Sequence, residues 1–382
     1  MSAQPLTAEE VTVWRRRFPT VERCTYLINN SLGAMPATVP TALGEFARLW
    51  ETKGVEAWGD WLPEVRAVCG LLEGLMGAPT GSVTVHQNVA TLTAMVLSTV
   101  DYGSGRDGIV LADADWPSHH YLIPVEERRG ARPVVVPTDG VAIDAEAFCD
   151  AIDERTALVI VSHVLFRSSA VVDVARIAAA ARRVGALCLV DGYHAMGHMP
   201  VDVTRIGCDF YVGGSVKWLC GGPGVGYLYV RPDLLESLPA GDVGWLGHAR
   251  PFAFTPEWEP ADGALRWLGG TPGMPSLYSA REGYKAITEV TPVRVRATSL
   301  ALTARIVEGA LERGVDVRTP TDAEARAGSV TLYLGDETET VSRRLIDEGI
   351  IVDFRPGSGI RVGPHFFNTV QECDRLVQAL RR

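Results

Sequence analysis

The sequence predicts an α/β protein: a mainly parallel seven-stranded sheet with helices on both faces, followed by a small α+β C-terminal domain. Three observations carry this. Between Ser82 and Val230, short apolar runs alternate with helical patterns, and that alternation implies a parallel sheet covered on both faces. The runs are bounded by Gly or polar residues, as buried strands are. Beyond residue 270 the pattern changes to a long helix and then to a mixture of strands and helices.

Length and composition fit that class. The 382 residues suffice for a large domain plus a smaller one with a sizeable core. An apolar content of 47% and a charged content of 21% are ordinary for a globular protein. A net charge of −10 argues against a nucleic-acid surface. No apolar run reaches the roughly 18 residues of a membrane span, and MSAQPLTAEEV lacks the features of a signal peptide. The seven cysteines are scattered without CxxC or Cys/His pairing, which fits reduced thiols in a cytoplasm and no metal site.

Taken in order, residues 1–25 read as a short amphipathic helix that starts with the capping pattern Thr7-Ala-Glu-Glu10 and leads to Tyr26. Asn29 to Gly33 is rich in turn residues. Residues 38–77 read as helical, with an apolar stripe through Leu43, Phe46, Leu49 and Trp50. Strands are expected at Val83–His86, Gly108–Ala112, Arg132–Val136, Ala157–Ser162, Ala186–Val190, Asp209–Val212 and Gly226–Val230, with a helix such as Val174–Val184 between most of them. Residues 231–270 read as irregular, and one long helix is expected from Pro275 to Ala310. The tail reads as strand Ser329–Leu334, helix Glu339–Glu348, strand Ile350–Phe354, a segment around Arg361 and a helix from Val370. The expected division is an N-terminal segment 1–37, a large domain 38–274, and a long helix with a small domain over 275–382.

The chemistry concentrates between Leu187 and Gly226. One apolar run ends in Asp191, with His194 three residues on, and a second leads into Gly213-Gly214-Ser215-Val216-Lys217. Strand ends are where open α/β sheets bind ligands. A lysine to form a Schiff base and an acid to keep a pyridine nitrogen protonated are what pyridoxal 5′-phosphate requires. The chain has only three lysines, and Lys53 and Lys285 stand in polar surroundings while Lys217 stands among Gly, Ser, Val, Trp and Leu. The plainer alternative is a strand-end lysine that reaches to water.

Other candidates support that reading. His86 to Thr93 follows a strand and opens a helix. Asn88 can cap it, and the backbone N–H groups of Val89 and Ala90 at a positive helix end suit a phosphate, although an Asn there can be a cap only. Trp116-Pro117-Ser118 follows the second strand, and an aromatic there can stack on a flat ring or simply fill the core. Ser162-His163 ends another strand, with Arg167-Ser168 close behind. Arg361, in Gly359-Ile-Arg-Val-Gly363, offers the fork that suits a carboxylate, or an ordinary ion pair. Cys220 can be a site thiol or a small buried apolar residue.

These pieces resemble the kynureninase branch of the class V enzymes of the aspartate aminotransferase superfamily, which have the pyridoxal-phosphate fold type I. The matching stretches are Asp191-Gly-Tyr-His194, Gly207-Cys-Asp-Phe210, Ser215-Val-Lys217-Trp-Leu219, Gly222-Pro-Gly-Val-Gly226 and the opening Tyr26 to Pro36. Trp116-Pro-Ser118, Gly244-Trp245-Leu-Gly-His248 and Gly270-Thr271-Pro272 match further blocks. The resemblance implies Lys217 as the Schiff-base lysine, Asp191 as the pyridinium partner and His194 beside Asp191. It implies Trp116 as ring stacker, Ser118 and Ser162 near the cofactor, and Asn30 and Ser31 near the substrate. It implies Arg361 for the substrate α-carboxylate. It also implies a homodimer with shared active sites, with the blocks around Trp245 and Thr271 reaching the partner's phosphate.

Three departures accompany the matches. Val216 stands where kynureninases carry a tyrosine, Thr271 where they carry an asparagine, and His119 where an acid often follows the serine. Val216 can neither donate nor accept a proton. The expectation is an enzyme that uses pyridoxal phosphate to act on an amino acid or amino-acid conjugate and cleaves a bond at Cβ. It would be a C–S lyase or kynureninase-like enzyme, yet not an efficient kynureninase, with a thioether or similar β-substituted amino acid favoured, in biosynthesis. The alternative is an aminotransferase or a decarboxylating or deaminating enzyme of the same class. A desulfurase needs a catalytic cysteine in the tail, and none stands near Arg361. A nucleotide-binding dehydrogenase fails because Gly222 to Gly226 precedes a strand instead of opening a helix. A protein of this fold that only binds ligand fits poorly with an intact set of Lys217, Asp191 and Arg361.

Overall fold

A computed structural model describes residues 4–241 and 243–380. Its strands are β1 (Thr25–Tyr26), β2 (Val83–His86), β3 (Gly108–Ala112), β4 (Arg132–Val136), β5 (Thr156–Ser162), β6 (Leu187–Asp191), β7 (Phe210–Gly214), β8 (Gly226–Val230), β9 (Asp316–Val317), β10 (Val330–Tyr333), β11 (Ile350–Ile351), β12 (Asp353–Arg355) and β13 (Gly359–Val362). The seven expected strands form one sheet in the order β2-β8-β7-β6-β5-β3-β4. Strand β8 runs antiparallel to both neighbours, and the other pairs are parallel.

The reason for this architecture is visible along single strands. In β6, Cys188 and Val190 enter one apolar core while Leu189 enters the other. A strand buried on both faces needs a continuous apolar run, and β5 and β6 have one. The edge strand β4 is only partly buried and tolerates Pro133, which has no N–H to give. The helix Val174–Val184 is held at its ends by the Asp173 side chain on the N–H of Arg176 and by Gly185 in the left-handed region.

Two expectations need correction. The long helix is two helices, Met274–Val290 and Pro292–Leu311. Pro292 lacks an N–H and disfavours a helical residue before it; Thr291 accordingly takes a φ of 69°. The strand expected over 350–354 is two strands in different sheets, with β11 parallel to β1 and β12 antiparallel to β13. The second sheet has the order β12-β13-β10-β9, and its apolar face packs on a third core around Leu302, Ile306 and Leu376. The apolar stripe of the first long helix is also only partly internal, because Leu43 and Trp50 are exposed.

The topology gathers strand ends. Ser162 at the end of β5 lies opposite Asp191 at the end of β6, and Asp191 lies opposite Val212 in β7. Backbone bonds continue the pairing past the strands: His163 N–H donates to Asp191 O at 2.8 Å and Gly192 N–H to Val212 O at 2.7 Å.

Candidate active site

Lys217 sits in the turn after β7. Cys220 N–H donates to Lys217 O at 2.9 Å, and Gly221 N–H to Ser215 O at 2.9 Å, which close the turn. The N-terminal segment buttresses it: Gly33 N–H donates to Val216 O at 2.7 Å. A Cβ on Gly33 would stand 2.1 Å from Lys217 O, so only glycine allows this approach. The Lys217 side chain is buried, and Nζ lies 2.6 Å from His194 Nε2. Nζ also lies over two aromatic faces, 5.2 Å from the Trp116 ring centroid and 4.1 Å from that of Tyr193.

Burial pushes the Lys217 amine down to about 7; Asp191 opposes this and Arg361 and Arg355 reinforce it. Burial, with Lys217 next, holds His194 well below the usual imidazole range. The His194 ring is therefore neutral, and its Nε2 can accept a hydrogen bond from Lys217.

His194 was expected beside Asp191, orienting it or the ring; it bonds Lys217 Nζ, and other groups orient Asp191. Its Oδ2 pairs with His119 Nε2 at 2.9 Å, and its Oδ1 accepts the N–H of Tyr193 at 2.8 Å. His119 comes from the first turn of the helix Pro117–Glu127, whose N-cap is Trp116. The loop before that helix is fixed by buried Asp115, which accepts the N–H groups of Ala112 and Ser162, each at 2.7 Å. Thus Trp116, His119, Ser162 and Asp191 are tied together by bonds between neighbouring strand ends. Ser118 lies in the same helical turn.

Arg361 approaches from the small sheet. It lies directly opposite Asp353 across β12 and β13. One Nη bonds the Asp353 carboxylate and the other donates to Phe166 O at 2.8 Å. Its Nε is buried with no partner among the described residues. The same holds for both amide atoms of Asn30, whose side chain packs against Gly363 two residues beyond Arg361. Ser31 follows in a turn, its N–H donating to Ile28 O at 2.9 Å.

At the other end, Asn88 caps the helix Val89–Ser98 through the N–H of Thr91 at 3.0 Å. The first-turn N–H groups of Val89 and Ala90 stay available for an anion. Thr271 lines a small cavity with His86, Gln87 and Gly270, just ahead of Asn88. Trp245 packs against Trp58, Phe252 and Phe254. Cys220 is buried, and burial pushes its thiol well up, so it is no ready nucleophile in this state.

Sequence reasoning left out Tyr193, Asp115 and Asp353. Tyr193 was in view inside Asp191-Gly-Tyr-His194 and carried no periodic signal of its own. Asp115 acts through Ser162, 47 positions along the chain, and Asp353 through Arg361 across the β12–β13 pair.

The arrangement fits pyridoxal phosphate on its own terms. A buried lysine of lowered pKa lies between aromatic faces, a carboxylate is oriented by two donors at the adjoining strand end, and a capped helix N-terminus is available for a phosphate. Sheet and site together define a pyridoxal-phosphate enzyme of fold type I.

Comparison with known proteins agrees. Residues 73–372 match the family model Aminotransferase class-V, and the chain belongs to that family. It is 30% identical to a kynureninase of Pseudomonas fluorescens over 96% of this chain and 90% of that protein. It is 31% identical to a kynureninase of Deinococcus radiodurans over 88% of this chain and 84% of that one. An uncharacterized aminotransferase of Bacillus subtilis, YcbU, is 27% identical over 96% of both. Among solved structures, an apo cysteine desulfurase from Thermococcus onnurineus NA1 superposes with a TM-score of 0.87, 19% identity and coverage of 99% of this chain and 98% of that one. The cystine C-S lyase C-DES, in complex with cysteine persulfide, gives 0.86 at 22% identity and coverage of 94% and 98%. The two structures share the fold. The cofactor of the family is pyridoxal 5′-phosphate.

Proposed function

We propose that Lys217 holds the cofactor and that the enzyme cleaves a bond at Cβ of an amino acid or amino-acid conjugate. The observation that carries this reading is the Lys217 amine, buried, 2.6 Å from a neutral His194 and lowered to about 7. When bound, the cofactor supplies a carbonyl carbon that joins to amines and a ring that takes up the electrons of a broken Cα–H bond.

The residues divide the remaining work. Neutral Lys217 would hold the cofactor through Nζ, and the same amine would serve as the base for the Cα proton. Neutral His194 positions Lys217 Nζ through the hydrogen bond between them. Asp191, held by His119 and the Tyr193 N–H, keeps the ring nitrogen protonated. Asn88, Val89 and Ala90 hold the phosphate, and Trp116, Ser118 and Ser162 flank the ring. Arg361, with its free Nε, and Asn30, with its free amide, receive the substrate carboxylate and a further polar group, with Ser31 beside them.

Val216, Thr271 and His119 support a changed late step. A positioned acid–base group is worth about 10²–10⁴ in rate, so kynurenine is a poor substrate and a thioether or similar β-substituted amino acid in a biosynthetic step is favoured. Transamination on the same site, the alternative, is not favoured beside the kynureninase matches. We further propose a cytoplasmic homodimer with shared active sites, in which Trp245 and Thr271 lie at the partner's phosphate. Its support is the exposed apolar set Leu32, Met35, Trp50, Phe252 and Phe254. A small C-terminal domain is supported by the separate core of the second sheet, whereas the helix Met274–Val290 packs into the core of the large domain. Among the described residues no helix is long and apolar enough to cross a membrane.

The test is to offer kynurenine, 3-hydroxykynurenine and a panel of S-conjugated cysteines to the holoenzyme and identify products by mass. Thiol and pyruvate from a conjugate support the reading. Fast anthranilate release with no product from any conjugate overturns it.

A further inference from the structure

We propose that Tyr193 is a second ring-stacking residue of the cofactor site, offering an aromatic face to the cofactor in addition to that of Trp116. The proposal rests on the reading of Lys217 as the cofactor lysine.

Four observations lead to it. Lys217 Nζ lies over the Tyr193 ring, 4.1 Å from its centroid, nearer than to Trp116 at 5.2 Å. A group joined to Nζ therefore emerges beside both rings. The Tyr193 backbone is fixed at the site, because its N–H is one of the two donors on Asp191. The ring has a place prepared for it: a Cβ on Gly214 would stand 2.6 Å from the Tyr193 ring, so that only glycine lets the ring lie down there. Finally, burial raises the phenol to about 12, so at working pH the side chain is a neutral aromatic and adds no charge beside the ring.

The physical consequence is a cofactor with aromatic packing from two residues. Offset or tilted aromatic contact adds to what area burial alone contributes, and the rings also exclude water from Lys217 Nζ. Position 193 adds a face that position 116 does not, and position 214 makes the space. A stacking role is a property of the ring, and so it is separable from any role of the hydroxyl.

The experiment titrates apoenzyme with pyridoxal phosphate and follows the visible band and its circular dichroism, for wild type, Tyr193→Phe and Tyr193→Leu. The melting temperature of each apo form checks that the chain is folded, and Gly214→Ala serves as a second route that displaces the ring without removing it. Stacking predicts a dissociation constant for Tyr193→Phe within about twofold of wild type. It predicts a rise of about three- to tenfold for Tyr193→Leu and a weaker dichroic band. Gly214→Ala should shift both in the same direction as Tyr193→Leu. Equal weakening in Phe and Leu variants would assign the effect to the hydroxyl and overturn the proposal. An unchanged constant and band in Tyr193→Leu would overturn it as well. A wild-type protein that binds no pyridoxal phosphate would instead refute the cofactor reading on which it rests.

Discussion

His119 Nε2 and Asp191 Oδ2 lie 2.9 Å apart, with both side chains withdrawn from water. The histidine stands where the resembling enzymes often carry an acid. A second carboxylate here would repel Asp191, whereas a ring N–H can donate to it and fix its plane. With Tyr193 N–H on the other oxygen, the carboxylate is aimed from two sides. Changing Asp191 to Asn removes the charge and leaves the shape. The variant should still bind cofactor and lose about a hundredfold or more in turnover. Steady-state rates within a few-fold of wild type would remove Asp191 from the role proposed for it.

Lys217 gives a pH dependence with a definite sign. Burial disfavours the ammonium and brings the amine down to about 7. The neutral amine is the nucleophile, so its fraction grows with pH, reaches half at about 7 and is nearly complete a unit above it. The rate at which apoenzyme takes up pyridoxal phosphate should rise about tenfold per pH unit below 7 and level off above 8. Stopped-flow uptake that keeps climbing to pH 10 would describe an ordinary, solvated lysine.

Gly33 tests the buttress. A Cβ there meets Lys217 O at 2.1 Å, which is backbone and cannot step aside cheaply. Gly33→Ala should cost about 1–3 kcal/mol of stability and weaken cofactor binding with it. Urea denaturation and cofactor titration would both have to be unchanged to dismiss the contact.

Arg361→Lys keeps a positive charge and loses the planar fork. Its expected effect is a rise in KM for the amino-acid substrate of about tenfold or more, with a smaller change in kcat, because the group binds carboxylate in ground and transition states alike. A kcat effect with KM untouched would place Arg361 elsewhere in the mechanism.

Much of the fold was legible because buried parallel strands must be apolar throughout. That is why β3 and β5 stand out as short runs of Val, Ile, Leu and Ala, the first opening on Gly108 and the second closing on Ser162. The pair Asp191 and Lys217 was legible for the same reason, since a charged residue at the end of such a run has few structural uses. The break at Thr291-Pro292 was overlooked because the apolar period continues across it, and only the backbone chemistry of proline marks the turn. The two strands within 350–355 read as one because only Val352 separates them along the chain, and their partners, β1 and β13, are set by tertiary packing. His119 as the partner of Asp191, in place of His194, needed three dimensions: 72 positions separate the two along the chain. His194 has a different neighbour, Lys217, because the turn after Asp191 carries it past the carboxylate.

The central claim is that Lys217 holds the cofactor. Holoenzyme reduced with borohydride, digested and mapped by mass should carry the pyridoxyl adduct on the peptide that contains Lys217. The Lys217→Ala variant should show no covalent label. An adduct on Lys53 or Lys285, or a wild-type protein that takes up no cofactor to reduce, would contradict the account.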